Sequence, residues 1–426
     1  MLTLQQLIAA NRRGEPRGIY AICSAHTLVL EAAMEQAAAD RTPLLIEATA
    51  NQVNQFGGYT GMTPADFQDH VMTLAARSGL PAERVLLGGD HLGPVCWQKE
   101  TTEQAMAKAR ELIAAYVAAG FGKIHLDCSM PCADDTLPLA DELIAARAAD
   151  LCRVAEETAR REFGRSDIVY IVGTEVPPPG GAREAIDELE VTDPALARAT
   201  LEKHRAAFLE QGLDAAWQRV IGLVVQPGVE FDHTSIVDYH PEKAEQLKAL
   251  IPQVDNIAFE AHSTDYQNQH SYNQLVRDHF AILKVGPQLT FALREALFAL
   301  SYIEEQLPAM ETRSGLRQVC EQQMLARPEY WQSFYTVDEE LQPLYRRFSY
   351  SDRIRYYWPD EKVREATEQL LTNLQTHTIP LPLISQFFPE EYREIRNGEL
   401  ANNATALVRA RIRKVTASYA QACWKQ

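Results

Sequence analysis

Short apolar, β-branched runs alternate with amphipathic stretches over the first two-thirds of the chain, and no other feature narrows the fold as much. The runs are Ile19–Ala25, Pro43–Ala48, Arg84–Gly88, Lys123–Leu126, Ile168–Gly173, Arg219–Val225, Asn256–Ala261 and Phe280–Val285. Most segments between them read as helices. In Thr101–Ala119, Ala105, Ala109, Leu112, Ile113 and Tyr116 fall on one stripe, and Gly120 stands where a helix would stop. Strand, helix, strand in eight repeats predicts an α/β protein, a closed (β/α)₈ TIM barrel rather than an open doubly wound sheet. No G-x-G-x-x-G follows the first run, which weakens a dinucleotide-binding alternative.

From about Ser301 onward strand character is scarce, which predicts a C-terminal helical extension: a barrel over 1–300 and a helical appendage, 301–426, packed on it. Two aromatic pieces stand out there, Ser349–Pro359 and Ile379–Pro389. Both read first as docking surfaces against the barrel. The alternative is that Arg353 or Arg355 reaches the barrel mouth and clamps an anion of the substrate.

Charge and composition narrow the partners. A net charge of −17 argues against nucleic acid and acidic membrane surfaces, which need basic patches. No apolar run approaches the roughly 20 residues of a membrane span. The opening MLTLQQLIAANRRGE turns polar too early for a signal peptide. Seven scattered cysteines do not form a disulfide framework, and a cytoplasmic location is expected.

In such a barrel the site sits at the C-terminal strand ends. Those ends are rich in ionisable groups: Glu47, Asp90-His91, Asp127, Glu175, His233, Glu260-Ala261-His262 and Lys284. Burying so many is unfavourable unless they are paired, metal-bound or catalytic. His91, His233 and His262, with Glu175, make an open divalent-metal site the expectation, against a bland reading in which each braces a loop. Zinc is the first choice, with manganese or nickel as alternatives. Asp90, then Asp127, then Glu47 are ranked as acid/base groups, although Asp90 can instead orient His91. His125, inside its strand, reads as a core residue, and Cys128 and Cys132 as buried thiols. Asn51 and Gln52 precede the glycine-rich GGYTGM and are expected to bind substrate. So are Lys284 and Gly286, at a strand–helix junction suited to a phosphate or sugar oxygen, though Lys284 can equally pair with Glu260. The runs GGYTGM and PPPGG fit either loops over the site or simple turns.

These strand-end motifs have a resemblance. CSAH, IEATANQVNQFGGYTGMTPADF, LGGDHLGP, KIHLDCSM, GTEVPPPGG, VVQPGVEFDH, EAHSTDY and HFAILKVGPQLTFALREALFAL resemble the GatZ/KbaZ family of D-tagatose-1,6-bisphosphate aldolase subunits. The likeness extends to SYSDRIRYYWPD and IPLPLISQ, and is closest to the KbaZ or AgaZ type. It implies a barrel that supports the activity and stability of a separate catalytic class II aldolase, in galactitol or N-acetylgalactosamine-type catabolism. It also implies that Asp90-His91 matches the acid/base aspartate and first zinc histidine of class II aldolases, with His233 and His262 as further ligands. Two departures count against bisphosphate binding. His262 is followed by Ser-Thr-Asp rather than a glycine-rich loop, and the last strand ends in Val-Gly-Pro rather than an Asn and Asp pair. The alternative is an autonomous metal-dependent enzyme acting on a ketose or ketose phosphate, such as a C4 epimerase linking the fructose and tagatose series. A kinase is a third reading, for which the chain has no G-x-x-x-x-G-K-[ST] loop. A homo-oligomer is left open.

Overall fold

The computed structural model describes residues 2–174, 182, 189–307, 312–375 and 378–425. All eight expected runs are strands: β1 (Ile19–Ile22), β2 (Leu44–Thr49), β3 (Val85–Leu92), β4 (Lys123–Leu126), β5 (Val169–Val172), β6 (Val220–Val225), β7 (Ala258–Ala261) and β8 (Phe280–Val285). They pair in parallel, each with its neighbour in sequence, and β8 pairs with β1 to close the barrel. This is the (β/α)₈ TIM barrel, with helices at its C-terminal side. A small antiparallel ribbon, Glu230–Phe231 with Ile236–Val237, follows β6.

Local chemistry sets the helices. Thr102–Ala118 is capped by the Thr101 hydroxyl, buries the expected stripe, and ends before Gly120 at φ +85°. Helix Leu4–Arg12 starts on a reciprocal Thr3–Gln6 capping box. Its Leu4, Leu7 and Ile8 join Ile19, Leu45, Ile171, Ile221 and Ile282 in one buried cluster inside the barrel.

The strand β3 runs four residues past its expected end at Gly88, to Leu92. Gly88 and Gly89 interrupt the apolar pattern but stay in the ladder, opposite Glu47 and Ala48 of β2. A side chain at Gly88 would collide with Glu47, so glycine there lets the carboxylate reach the barrel axis.

The C-terminal segment is joined to the barrel wall itself. Helix Ala404–Trp424 packs on β1 and between helices Thr27–Asp40, Gln269–Arg277 and Pro287–Gln306. Arg409 is bonded to Glu31 and Glu35, and the Tyr419 hydroxyl donates to the Thr264 carbonyl at 2.9 Å. All seven cysteines are unpaired, Cys128 and Cys132 buried among them. Among the described residues no helix is long and apolar enough to cross a membrane.

Candidate active site

Side chains in a strand alternate between faces, so Lys123, His125 and Asp127 of β4 and its end share one face, as do Glu260 and His262 of β7. Those faces meet at the barrel's C-terminal end in two layers. The lower layer is ionic and buried, with Glu47, Lys123 and Glu260 wholly so. Lys123 Nζ lies 2.6 Å from Glu47 Oε1 and 2.7 Å from Glu260 Oε2, while Lys284 Nζ bonds Glu47 Oε2 and lies 2.9 Å from Asp90 Oδ2 and 3.8 Å from Glu260 Oε1. Buried charges are tolerated only when compensated, and here each ammonium bridges carboxylates. Burial nonetheless pushes the Lys284 ammonium down to about 8.

The upper layer holds three imidazoles. His91, His125 and His262 pack ring to ring with centroids 5.1–5.4 Å apart. Each is held by a carboxylate on one ring nitrogen. His91 Nδ1 is 3.0 Å from Asp127 Oδ2, His125 Nδ1 is 2.9 Å from Asp90 Oδ1, and His262 Nε2 is 3.0 Å from Glu260 Oε1. Asp127 is itself fixed by the Ser129 N–H and hydroxyl at 3.0 and 2.6 Å. Burial opposes charge on His91, but Asp90 and Asp127 outweigh it and raise its pKa to about 9. Burial likewise works against the Asp90 and Asp127 carboxylates, yet the surrounding histidines hold both well below the usual range. Burial lowers His262. The backbone turns left-handed at His91 (φ +49°) and at Ser263 (φ +53°), next to His262, a conformation that costs about 1–3 kcal/mol and gathers at working sites.

This donor set fits a divalent cation. Asp90, His125, Glu260 and His262 offer ligand atoms that lie within 4.8 Å of one another. With Nδ1 engaged by Asp90, His125 Nε2 is buried without a hydrogen-bond partner among the described residues. Four carboxylates against two lysines and a charged His91 still leave a net negative charge for the ion to offset.

A solvent-open cleft of about 680 Å³ lies above, lined by Asn51, Gln52, Tyr59, Asp265 and Arg355 and, from the cluster, by Asp90, His91, His262 and Lys284. Gln52 is braced by the Thr49 N–H and the Cys23 carbonyl. The GGYTGM loop that follows is tight: the Thr60 hydroxyl donates to the Gln52 carbonyl at 2.7 Å, and a Cβ at Gly58 would strike that same carbonyl group.

The D-tagatose-1,6-bisphosphate aldolase subunit GatZ/KbaZ-like family model matches residues 4–424. The chain belongs to this family. A crystal structure of a probable tagatose 6 phosphate kinase from Sinorhizobium meliloti 1021 shares 49% identity, covering 96% of this chain and 100% of that one, at a TM-score of 0.88. The YdjI aldolase from Escherichia coli K12 shares 12% identity over 86% of this chain and 96% of its own (TM-score 0.44). A fructose-bisphosphate aldolase from Campylobacter jejuni shares 15% over 88% and 92% (TM-score 0.43).

In this GatZ/KbaZ-like chain the structure brings Glu47, Asp90, His91, Asp127, His262 and Lys284 together, with Asn51, Gln52 and Gly286 on the cleft wall. It does not bring His233. That ring is engaged by the Ser351 hydroxyl and the Phe334 carbonyl, both at 2.9 Å, against Tyr335 and Tyr345. The third imidazole is His125, read from the sequence as core. Arg353 is also elsewhere, buried with its guanidinium over Phe334 and bonded to the Tyr330 carbonyl, while Arg355 lines the cleft. Lys284 pairs with Glu47 and Asp90 more closely than with Glu260. Glu175 and the PPPGG run lie outside the described residues. Lys123 was missed; its signal is the polar alternation of Lys123, His125 and Asp127.

Proposed function

We propose that the barrel mouth of this aldolase-subunit family member is itself a divalent-metal site for chemistry on a ketose or ketose phosphate. The observation that carries this reading is the set of three carboxylate–histidine pairs packed within 5.1–5.4 Å under an open cleft. A scaffold has no need of so much buried charge. Asp90, His125, Glu260 and His262 would hold the ion, which supplies Lewis-acid polarisation of a sugar oxygen. The His91–Asp127 pair then carries protons, with His91 Nε2 3.6 Å from Asp90 Oδ2 and its charged form favoured by both carboxylates. Relative to the sequence-based assignment, His91 and Asp90 exchange roles. Lys284 holds Glu47 and Asp90 in place. Zinc is the first candidate for two imidazoles and two carboxylates, with manganese or nickel next. Epimerisation at C4 of a ketose would then run by retro-aldol cleavage of the C3–C4 bond, a base taking the C4 hydroxyl proton. Re-addition to the opposite face of the aldehyde returns that proton, so no redox cofactor is needed.

Metal analysis tests this. Purified protein should carry about one divalent ion per chain, and His125→Ala and His262→Ala should each lose it while keeping the circular dichroism of the parent. Loaded protein should interconvert fructose- and tagatose-series ketoses or their phosphates by NMR. A folded protein that takes up no metal sinks the reading.

The family match favours a second reading, support of a separate catalytic class II tagatose-bisphosphate aldolase. Mixing the two purified proteins should then raise the partner's aldolase activity and melting temperature; no change in either removes it. A kinase reading, by analogy with the Sinorhizobium relative, finds no G-x-x-x-x-G-K-[ST] loop in the chain.

A further inference from the structure

In (β/α)₈ barrels a substrate phosphate is frequently held by the loops after the last two strands and the N-terminus of the helix that follows. Here helix Pro287–Gln306 begins directly after β8, and Gly286 and Pro287 line the cleft. Its first donors are already spent. The Gly286 N–H and Gln288 N–H donate to Asp265 Oδ1 at 3.1 and 2.8 Å, Pro287 has no N–H, and the Leu289 and Thr290 N–H groups turn back to the Gly286 carbonyl. Asp265 comes from the loop after β7, is 2% exposed, and also lines the cleft. Lys284, the other cation at this end, is bonded to Glu47 and Asp90. On another part of the wall Arg355 is anchored by the Ser351 and Asp352 carbonyls and the Tyr356 hydroxyl, and has no ion pair among the described residues.

We infer that the cleft takes a ketose bearing no phosphate at the end that lies against β8, and that Asp265 enforces this by placing its own carboxylate on the backbone donors a phosphate would use. This deepens, and rests on, the ketose reading above. Any phosphate brought to that end meets a negative charge and finds the first N–H groups of the helix already taken, which is discrimination by an unfavourable contact rather than by a favourable one. Burial lifts the Asp265 carboxyl to about 6, so it is still mostly charged at neutral pH.

The test is calorimetric, on metal-loaded protein near pH 7.5, with inorganic phosphate, a free ketohexose, its 1- and 6-phosphates and its 1,6-bisphosphate. The parent should bind the free ketose at least about tenfold more tightly than the bisphosphate and one of the monophosphates. Asp265→Ala, which frees the donors, should bind inorganic phosphate about tenfold better than the parent and narrow the gap between free and phosphorylated sugar. Asp265→Asn keeps the cap without the charge; it should give a smaller gain and serves if the alanine variant does not fold. A parent that binds bisphosphate as tightly as free ketose, or folded variants with unchanged phosphate affinity, overturns the inference. Failure of every sugar to bind, with the phosphate gain intact, would instead remove the ketose reading and leave the role of Asp265 standing.

Discussion

Glu230 shows how one buried carboxyl ties stability to pH. It sits on the ribbon after β6, 5% exposed, and burial lifts its pKa to about 7, against the pull of the Phe231 N–H and Ser263. Between the unfolded value, 4.5, and about 7 the folded chain keeps a proton that the unfolded chain releases. Stability from this group is therefore full below the unfolded pKa and is lost as pH rises to about 7. Glu230→Gln should be nearly neutral at pH 5 and stabilising at pH 8, by on the order of 2 kcal/mol, in denaturant titrations. An equal effect at both pH values would contradict it. At this scale the sequence already named Glu47, Asp90, His91, Asp127, His262 and Lys284, because a polar residue ending an apolar strand is conspicuous. His125 was passed over because a lone histidine inside a strand looks the same whether it packs or binds.

At the scale of elements, alternation along β4 and β7 decides which side chains meet. The junction of β3 with β4 is the tightest part of the site. The Asp127 N–H donates to the Leu92 carbonyl at 3.0 Å, and a Cβ on Gly93 would land on the Asp127 carbonyl oxygen. Gly93→Ala should therefore spread the strand ends that hold the His91–Asp127 pair. The expected loss is about 1–3 kcal/mol of stability together with weaker metal binding. Gly122→Ala, where nothing lies within 4 Å, is the control and should change stability by less than about 0.5 kcal/mol. Equal losses in the two variants would refute the close-approach argument. The strand periods were legible from β-branched runs, but the continuation of β3 to Leu92 was not, since Gly88-Gly89 read as a stop while their ladder partners in β2 held them extended.

For the molecule as a whole, helix Ala404–Trp424 matters most. Leu407, Val408, Ile412, Tyr419 and Cys423 are fully buried on it, and Tyr419 reaches the loop that follows His262. Side chains of this kind contribute about 1.5–3 kcal/mol each, so together they approach the about 5–15 kcal/mol that stabilises a typical domain. A fragment ending at residue 403 should lose cooperative unfolding and aggregate, as sedimentation and calorimetry would show. A sharp, reversible melt of that fragment would mean the barrel is complete without the helix. The sequence alone determined the barrel, because eight apolar runs separated by amphipathic helices close in few other ways, and it determined most of the ionisable groups at the mouth. Only the tertiary structure decided that His125 and not His233 joins the histidines, that Arg355 and not Arg353 faces the cleft, and that Asp265 fills the donors after β8. Each of these turns on contacts between residues far apart in the chain, and spacing along the chain carries no record of which nitrogen, carboxylate or N–H has already been taken.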